Sequence, residues 1–405
     1  MKKRTAQLAG ILGLIFSSFS CFSQLEFQSE GTRFWIGYIE NITLMFNGEP
    51  RFSLRVSSDI ATTGTIIVPT TNLEIPFEIE AGATEIDLPD AIWYSELSQV
   101  VDNKGILIET ATPVELAAIH YRIFFTDGAK ILPESSLGTD YMALAVEDLY
   151  GVSPSTIVIV ETEDDTEIEV TPSVLTEALF PADVPFTFTM NAGQSYQIHA
   201  NGDLSGSTIS SLTGQKIAVY AGAQQAAVGC APDDSHHWEQ IIPTAFWGTE
   251  YALIPYRDQS ENIFKILAGE DNTNIFIDCE LEVTLNAGET YEILTSDPLV
   301  ISSDLPVQVG QLNRGSECNP NEQGPSFAIL HPLNHQSTGQ SLNFTGGING
   351  LELVSHYVNL VCLESTASEV LLDGNEVNFA PLPQNPNLVY ARVSLNQGNH
   401  EFVAP

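Results

Sequence analysis

Three observations predict an all-β protein built of tandem sandwich-like repeats packed into one compact body. Apolar residues alternate with period two, as at Ile157 and Ile159 or Ile275 and Ile277, which marks half-buried strands. Turn formers bound these runs: Asp164-Asp165-Thr166 and Asp271-Asn272-Thr273 read as hairpin tips. The same phrases then recur along the chain, which is the mark of a repeat architecture. A pseudo-symmetric, propeller-like ring is the alternative, because the repeats follow one another without a linker.

Each repeat opens on a related phrase: Gly31-Thr32-Arg33-Phe34, Gly138-Thr139-Asp140-Tyr141, Gly248-Thr249-Glu250-Tyr251 and, more loosely, Gly339-Gln340-Ser341-Leu342. A hairpin phrase follows, clearest at 155–170 and 262–277. A third phrase carries Ala192-Gly193 or Ala287-Gly288, where glycine supplies the positive φ of a tight turn. A fourth reads QKIAVYAGAQ at 215–224 and PVQVGQLN at 306–313, with TPVELAAIHYR as the looser version in the first repeat. The expected units are 24–137, 138–247, 248–338 and a shorter C-terminal unit, 339–405, that caps the stack. Residues 90–101 form the best short-helix candidate in a chain otherwise without helical periodicity.

Residues 1–23 read as a secretory signal: Lys2, Lys3 and Arg4, then an apolar run from Leu8 to Phe19 too short to cross a bilayer. Lipid anchoring through Cys21 is the alternative outcome. The chain is expected to be exported, to the medium or the cell surface, and no other segment is long and apolar enough to span a membrane. The charge agrees. The chain has 52 Asp+Glu against 14 Lys+Arg, a formal net charge of −38. That excludes a nucleic-acid partner, since phosphate binding needs lysine and arginine.

Cysteine usage points the same way. Beyond the signal stand Cys230, Cys279, Cys318 and Cys362, an even number that suggests disulfides in an exported chain. Cys230 and Cys318 each follow a matching phrase and open a polar loop, so they are the expected staple between adjacent repeats. Cys279 and Cys362 lie at strand ends and either pair or stay free and buried.

The densest polar cluster is the Cys230–Gln240 stretch, with Asp233, Asp234, His236, His237 and Glu239. These are metal-ligand types, but adjacent histidines rarely point the same way, so a loop whose side chains cap backbone groups is the favoured reading. This stretch is the weak candidate for a binding loop. The Asp-rich turns suit calcium by chemistry, but no loop with the spacing of a calcium hand is present. No cofactor is expected otherwise. No nucleophile elbow, zinc-protease or phosphate-loop motif occurs, so no catalytic residue is named and no enzymatic activity is expected. The four tryptophans, Trp35, Trp93, Trp238 and Trp247, read as core; two of them recur at repeat starts.

These phrases resemble the IgGFc-binding protein N-terminal domain family over residues 30–405. The carrying residues are GTRFWIGYIEN, GTDYMALAV, ETEDDTEIEV, CAPDDSHHWEQIIPTAFWGTEY, AGEDNTNIFI and LLDGNEVNF. One departure stands out: Ser235-His236-x-x-Glu239-Gln240 occupies the place of the family's Asp-His-x-x-Glu-Gln. The resemblance implies a bacterial secreted or surface module that binds an extracellular protein or glycan, acts in adhesion and does no chemistry. The alternatives are a secreted polysaccharide hydrolase with a carboxylate pair, or a purely structural envelope protein.

Overall fold

The computed structural model describes residues 27–404, apart from 43–47, 90, 92, 124, 231–232, 258–260, 319–323, 336–338, 345–346, 349–350, 353–355, 384 and 397. The signal reading and Cys21 therefore lie outside the described residues. The first group of strands is β1 (Gly31–Ile36), β2 (Arg51–Ser58), β3 (Thr62–Val68), β4 (Leu73–Ile79), β5 (Gly82–Asp87), β6 (Val101–Asp102), β7 (Ile106–Tyr121) and β8 (Asp127–Ile131). The second is β9 (Asp140–Met142), β10 (Ser155–Glu161), β11 (Thr166–Thr171), β12 (Phe186–Met190), β13 (Ser195–Ala200), β14 (Thr208–Ser211), β15 (Ile217–Ala227) and β16 (Asp234–Gln240). The third is β17 (Gly248–Leu253), β18 (Asn262–Ala268), β19 (Thr273–Ile277), β20 (Glu280–Leu285), β21 (Thr290–Thr295), β22 (Leu299–Asn313) and β23 (Phe327–Leu330).

One long strand organises each group. The first half of β7 pairs with β1 and β3, and its second half with β2 and β8; β4 and β5 then flank β3 and β2. β22 does the same with β17 and β19, then β18 and β23. Each is a half-barrel closing over its own core. The bend has a cause in sequence. The ladder slips at Pro113 in β7 and at Pro306 in β22, where proline has no N–H to donate and forces a bulge. In the second group the long strand is interrupted outright at 212–216, giving β14 and β15 and two separate sheets.

The fourth group is looser. It comprises β24 (Gly339–Phe344), β25 (Gly347–Ile348), β26 (Leu351–Glu352), β27 (His356–Leu363), β28 (Leu371–Leu372), β29 (Asn375–Glu376), β30 (Ala380–Leu382), β31 (Asn385–Leu395) and β32 (Gly398–Val403). Its sheets run β24-β32-β28-β29 and β27-β31-β30. β24 lies against β2 and β5 of the first group, so the succession of sheets curls back on its start.

The recurring phrases have physical reasons. Gly31, Gly138 and Gly248 each lie under the ring of a proline that ends the same group: Pro133, Pro243 and Pro332. A Cβ there would sit 2.3–2.6 Å from the ring, so no larger residue fits. The Ala-Gly turns join neighbours: Gly193 packs on Gly105, and Gly288 on Gly206, backbone against backbone. The Asp-rich turns hold these Ala-Gly turns in place. The Asp164 carboxylate accepts the Ala192 N–H at 3.1 Å, and Asp271 accepts that of Ala287 at 3.0 Å. These two carboxylates, read above as possible calcium ligands, thus have backbone partners.

Two expectations are corrected. No helix forms over the described residues of 90–101. Trp93 and Tyr94 both enter the core, Tyr94 is bridged to Tyr38, and the chain then bends over 96–99 with Gln99 in the left-handed region. Cys279 and Cys362 do not pair. Cys279 faces solvent at the tip between β19 and β20, whereas Cys362, next to last in β27, is half-buried opposite Val389. The four tryptophans are buried, from 0% exposure at Trp238 to 7% at Trp93 and Trp247.

Candidate functional site

Within the Cys230–Gln240 stretch, Asp234–Gln240 forms the edge strand β16, paired with β15 on one side only. Cys230 is bonded to Cys318, with 6.0 Å between the Cα atoms. Beside this staple the Asp233 carboxylate accepts the Ser316 N–H at 2.7 Å, and Arg314 pairs with Glu261 at 2.7 Å. The second and third groups are thereby tied through the loop that sequence singled out. Asp234 is exposed at the start of β16.

The two histidines do not share a site. His236 Nδ1 donates to the Gln224 carbonyl at 3.0 Å, and its ring stands edge-on to His120 at 5.1 Å. His237 Nε2 donates to the Ala226 carbonyl at 3.1 Å. Burial pushes His236 down to about 3 and His237 down to about 4, so both are neutral. Trp238 turns toward the first group. Its indole N–H reaches the Gly37 carbonyl at 2.9 Å, and its ring lies 4.6 Å from that of Tyr38.

The free edge of β16 meets β8 without a backbone ladder. Asp127 replaces it, accepting the N–H groups of Trp238 at 2.7 Å and Gly128 at 2.8 Å. Gln240 Oε1 accepts the Leu132 N–H at 2.6 Å. Burial raises Asp127 to about 8, and burial beside Asp127 drives Glu239 well above the usual carboxylate range. Two carboxyls thus lie close where edge strands of neighbouring groups meet, and each raises the cost of ionising the other. This is a joint that covers two sheet edges. Among the described residues no three His, Cys, Asp or Glu side chains surround one metal position.

Sequence reading missed Asp127, His120 and Lys265. Lys265 carried a legible signal, a lysine inside the apolar run Ile263–Leu267. It is buried, bonded to the Ala145 carbonyl at 3.0 Å and to Asp203 at 2.5 Å. Asp127 carried none among 52 acids.

The strand order, the stapled loop and the Glu-Gln-x-x-Pro stretch can be set against known proteins. The description of the IgGFc binding protein family matches residues 127–405. The chain belongs to that family. The match begins at Asp127, the first residue of β8, so the first half-barrel apart from β8 lies outside it although its strand pairing repeats that of the third. Human IgGFc-binding protein is 21% identical over 284 residues, covering 67% of this chain and 5% of the human protein. No solved structure matches. The chain thus spans a small fraction of that relative's length, and the family is a binding family by name.

Proposed function

We propose that this chain is an exported module that binds an extracellular protein or glycan and acts in adhesion, without chemistry of its own. The observation that carries this reading is membership of the IgGFc-binding family across more than half the chain. The Cys230–Cys318 bond supports export, since such bonds persist in oxidising compartments. No helix among the described residues is long and apolar enough to cross a membrane. The polysaccharide-hydrolase reading draws no support from the Asp127–Glu239 pair, because Asp127 already holds two backbone N–H groups inside a joint.

The docking face we favour lies on two adjoining loops, 96–100 and 172–184. The Gln99 side chain ties them, accepting from Thr176 Oγ1 at 2.7 Å and Ala178 N at 3.1 Å. They expose Leu97, Leu175 and Leu179 at 56%, 56% and 74%, apolar area that a monomer gains nothing by showing. The purified chain should bind saturably on a glycan array or to an extracellular protein in a pull-down, and Leu179→Asp should weaken binding at least tenfold without lowering stability. No saturable ligand of either class would overturn the reading. Binding indifferent to Leu179→Asp would move the face elsewhere.

A further inference from the structure

Beneath those loops, where the first and second groups meet, His199 lies with a carboxylate at each ring nitrogen. Glu177 Oε2 is 3.5 Å from Nδ1, and Glu40 Oε2 is 3.7 Å from Nε2. His199 is only 5% exposed and its Nε2 makes no hydrogen bond. Both separations are longer than a hydrogen bond of this type, about 2.7–3.2 Å. The backbone fixes all three residues. Glu40 N donates to the Gln197 side chain at 3.0 Å, His199 N to Ser98 Oγ at 3.0 Å, and Glu177 N to the His199 carbonyl at 2.8 Å.

The arrangement is short of positive charge. A neutral imidazole has one N–H, so it satisfies one carboxylate while its lone pair faces the other. Burial, with the charges of Glu96 and Glu177, raises Glu40 to about 7, and the Gln197 hydrogen bond and buried Arg122 offset only part of this. Two ligands around one tetrahedral zinc, each about 2.1 Å from it, stand about 3.4 Å apart. The Nε2-to-Oε2 gap at Glu40 is close to that span. A carboxylate behind the other ring nitrogen is the usual support for a metal-bound histidine.

We propose that a divalent transition-metal ion of the zinc type binds between His199 Nε2 and the Glu40 carboxylate, with Glu177 orienting the ring. No third His, Cys, Asp or Glu side chain joins this pair among the described residues, so the proposed ion keeps water in its remaining positions unless the exposed Glu96 rotates in. Glu40 and Glu177 keep 20% and 38% of their side chains in solvent, so the seat is open to an ion. A metal here would lock loops 96–100 and 172–184 to one another.

Zinc titration of the tag-free full chain, with a chromophoric chelator as competitor, tests this. One equivalent should bind with micromolar affinity, and calcium should not displace it. Glu40→Gln should weaken zinc at least tenfold, and Glu177→Gln about tenfold, as loss of an outer partner does. Glu282→Gln, at a distant exposed acid, should change nothing. Near-ultraviolet circular dichroism confirms that each variant is folded. Wild-type affinity in both Glu40→Gln and Glu177→Gln, or equal binding of calcium, would overturn the site.

Discussion

The first and second groups meet differently from the second and third, although the same strand makes both contacts. Val158 in β10 and Lys265 in β18 hold the same repeat position, and each points into the preceding group. Val158, with Val160, packs into the core around Trp35 and Tyr38. Lys265 instead carries a charge into the joint and meets Asp203 and the Ala145 carbonyl. The second joint also has the Cys230–Cys318 staple and an apolar cluster around Phe246 and Trp247. The first relies on Trp238 and the Asp127 bridge. One backbone geometry, set by the Gly105–Gly193 and Gly206–Gly288 contacts, thus tolerates either chemistry. The turns set the spacing of the groups, and the side chains between them are free to differ.

The largest way to break this contrast is to remove the staple. The bond closes 88 residues of chain. Chain-entropy arithmetic for such a loop gives about 4.5 kcal/mol, an upper figure because surrounding contacts remain. Cys230→Ser with Cys318→Ser should lower the urea midpoint by a matching amount, and should expose the loops at 230–235 and 314–318 to protease before the first half-barrel. Simultaneous loss of both joints would instead show that the groups unfold as one unit.

The buried lysine comes next. Truncating one partner of a buried ion pair costs about 3–5 kcal/mol, because the other charge is left without compensation. Lys265→Ala should fall in that range, whereas Val158→Ala at the matching position should cost about 1–2 kcal/mol for the lost methyls and the cavity. Lys265→Met with Asp203→Leu should restore most of the stability, since apolar replacement of both partners is often neutral. Chemical denaturation of the four proteins measures all of this. Equal losses at positions 158 and 265 would mean that the second joint gains nothing particular from its charge.

The sequence made the architecture legible for reasons tied to rare residues. Gly31, Gly138 and Gly248 recur because a proline ring presses on each, and the Asp-rich turns recur because their carboxylates cap the next turn. Cys230 and Cys318 stand out because cysteines are few and both follow the same strand phrase. Residues 90–101 misled because Trp93 and Tyr94 enter the core side by side and the chain then bends over 96–99, an irregular path that leaves no periodic signal. The joints stayed illegible for the opposite reason. Asp127 and Glu239 are two acids among 52, and only the meeting of two edge strands makes them partners.

The Asp127 bridge offers the finest test, because its effect depends on pH while the staple's does not. Its folded pKa, about 8, lies above the ordinary aspartate value of 3.8. The folded state therefore holds a proton that the unfolded state releases. That contribution is full below about pH 4 and is lost as the pH rises through 8. Between those limits one such group gives a slope of at most about 1.4 kcal/mol per pH unit, and less for a half-buried residue. Asp127→Asn keeps an acceptor for the Trp238 N–H and abolishes the titration. Its stability should fall short of, or equal, the wild type at pH 5 and should gain on it steadily toward pH 8.5. The general acidity of the chain slopes both proteins in the same sense, so the difference between their urea midpoints isolates the bridge. Parallel curves for wild type and Asp127→Asn would show that Asp127 is ionised in the folded joint, and the first junction would then hold a bare carboxylate where the second holds a paired lysine.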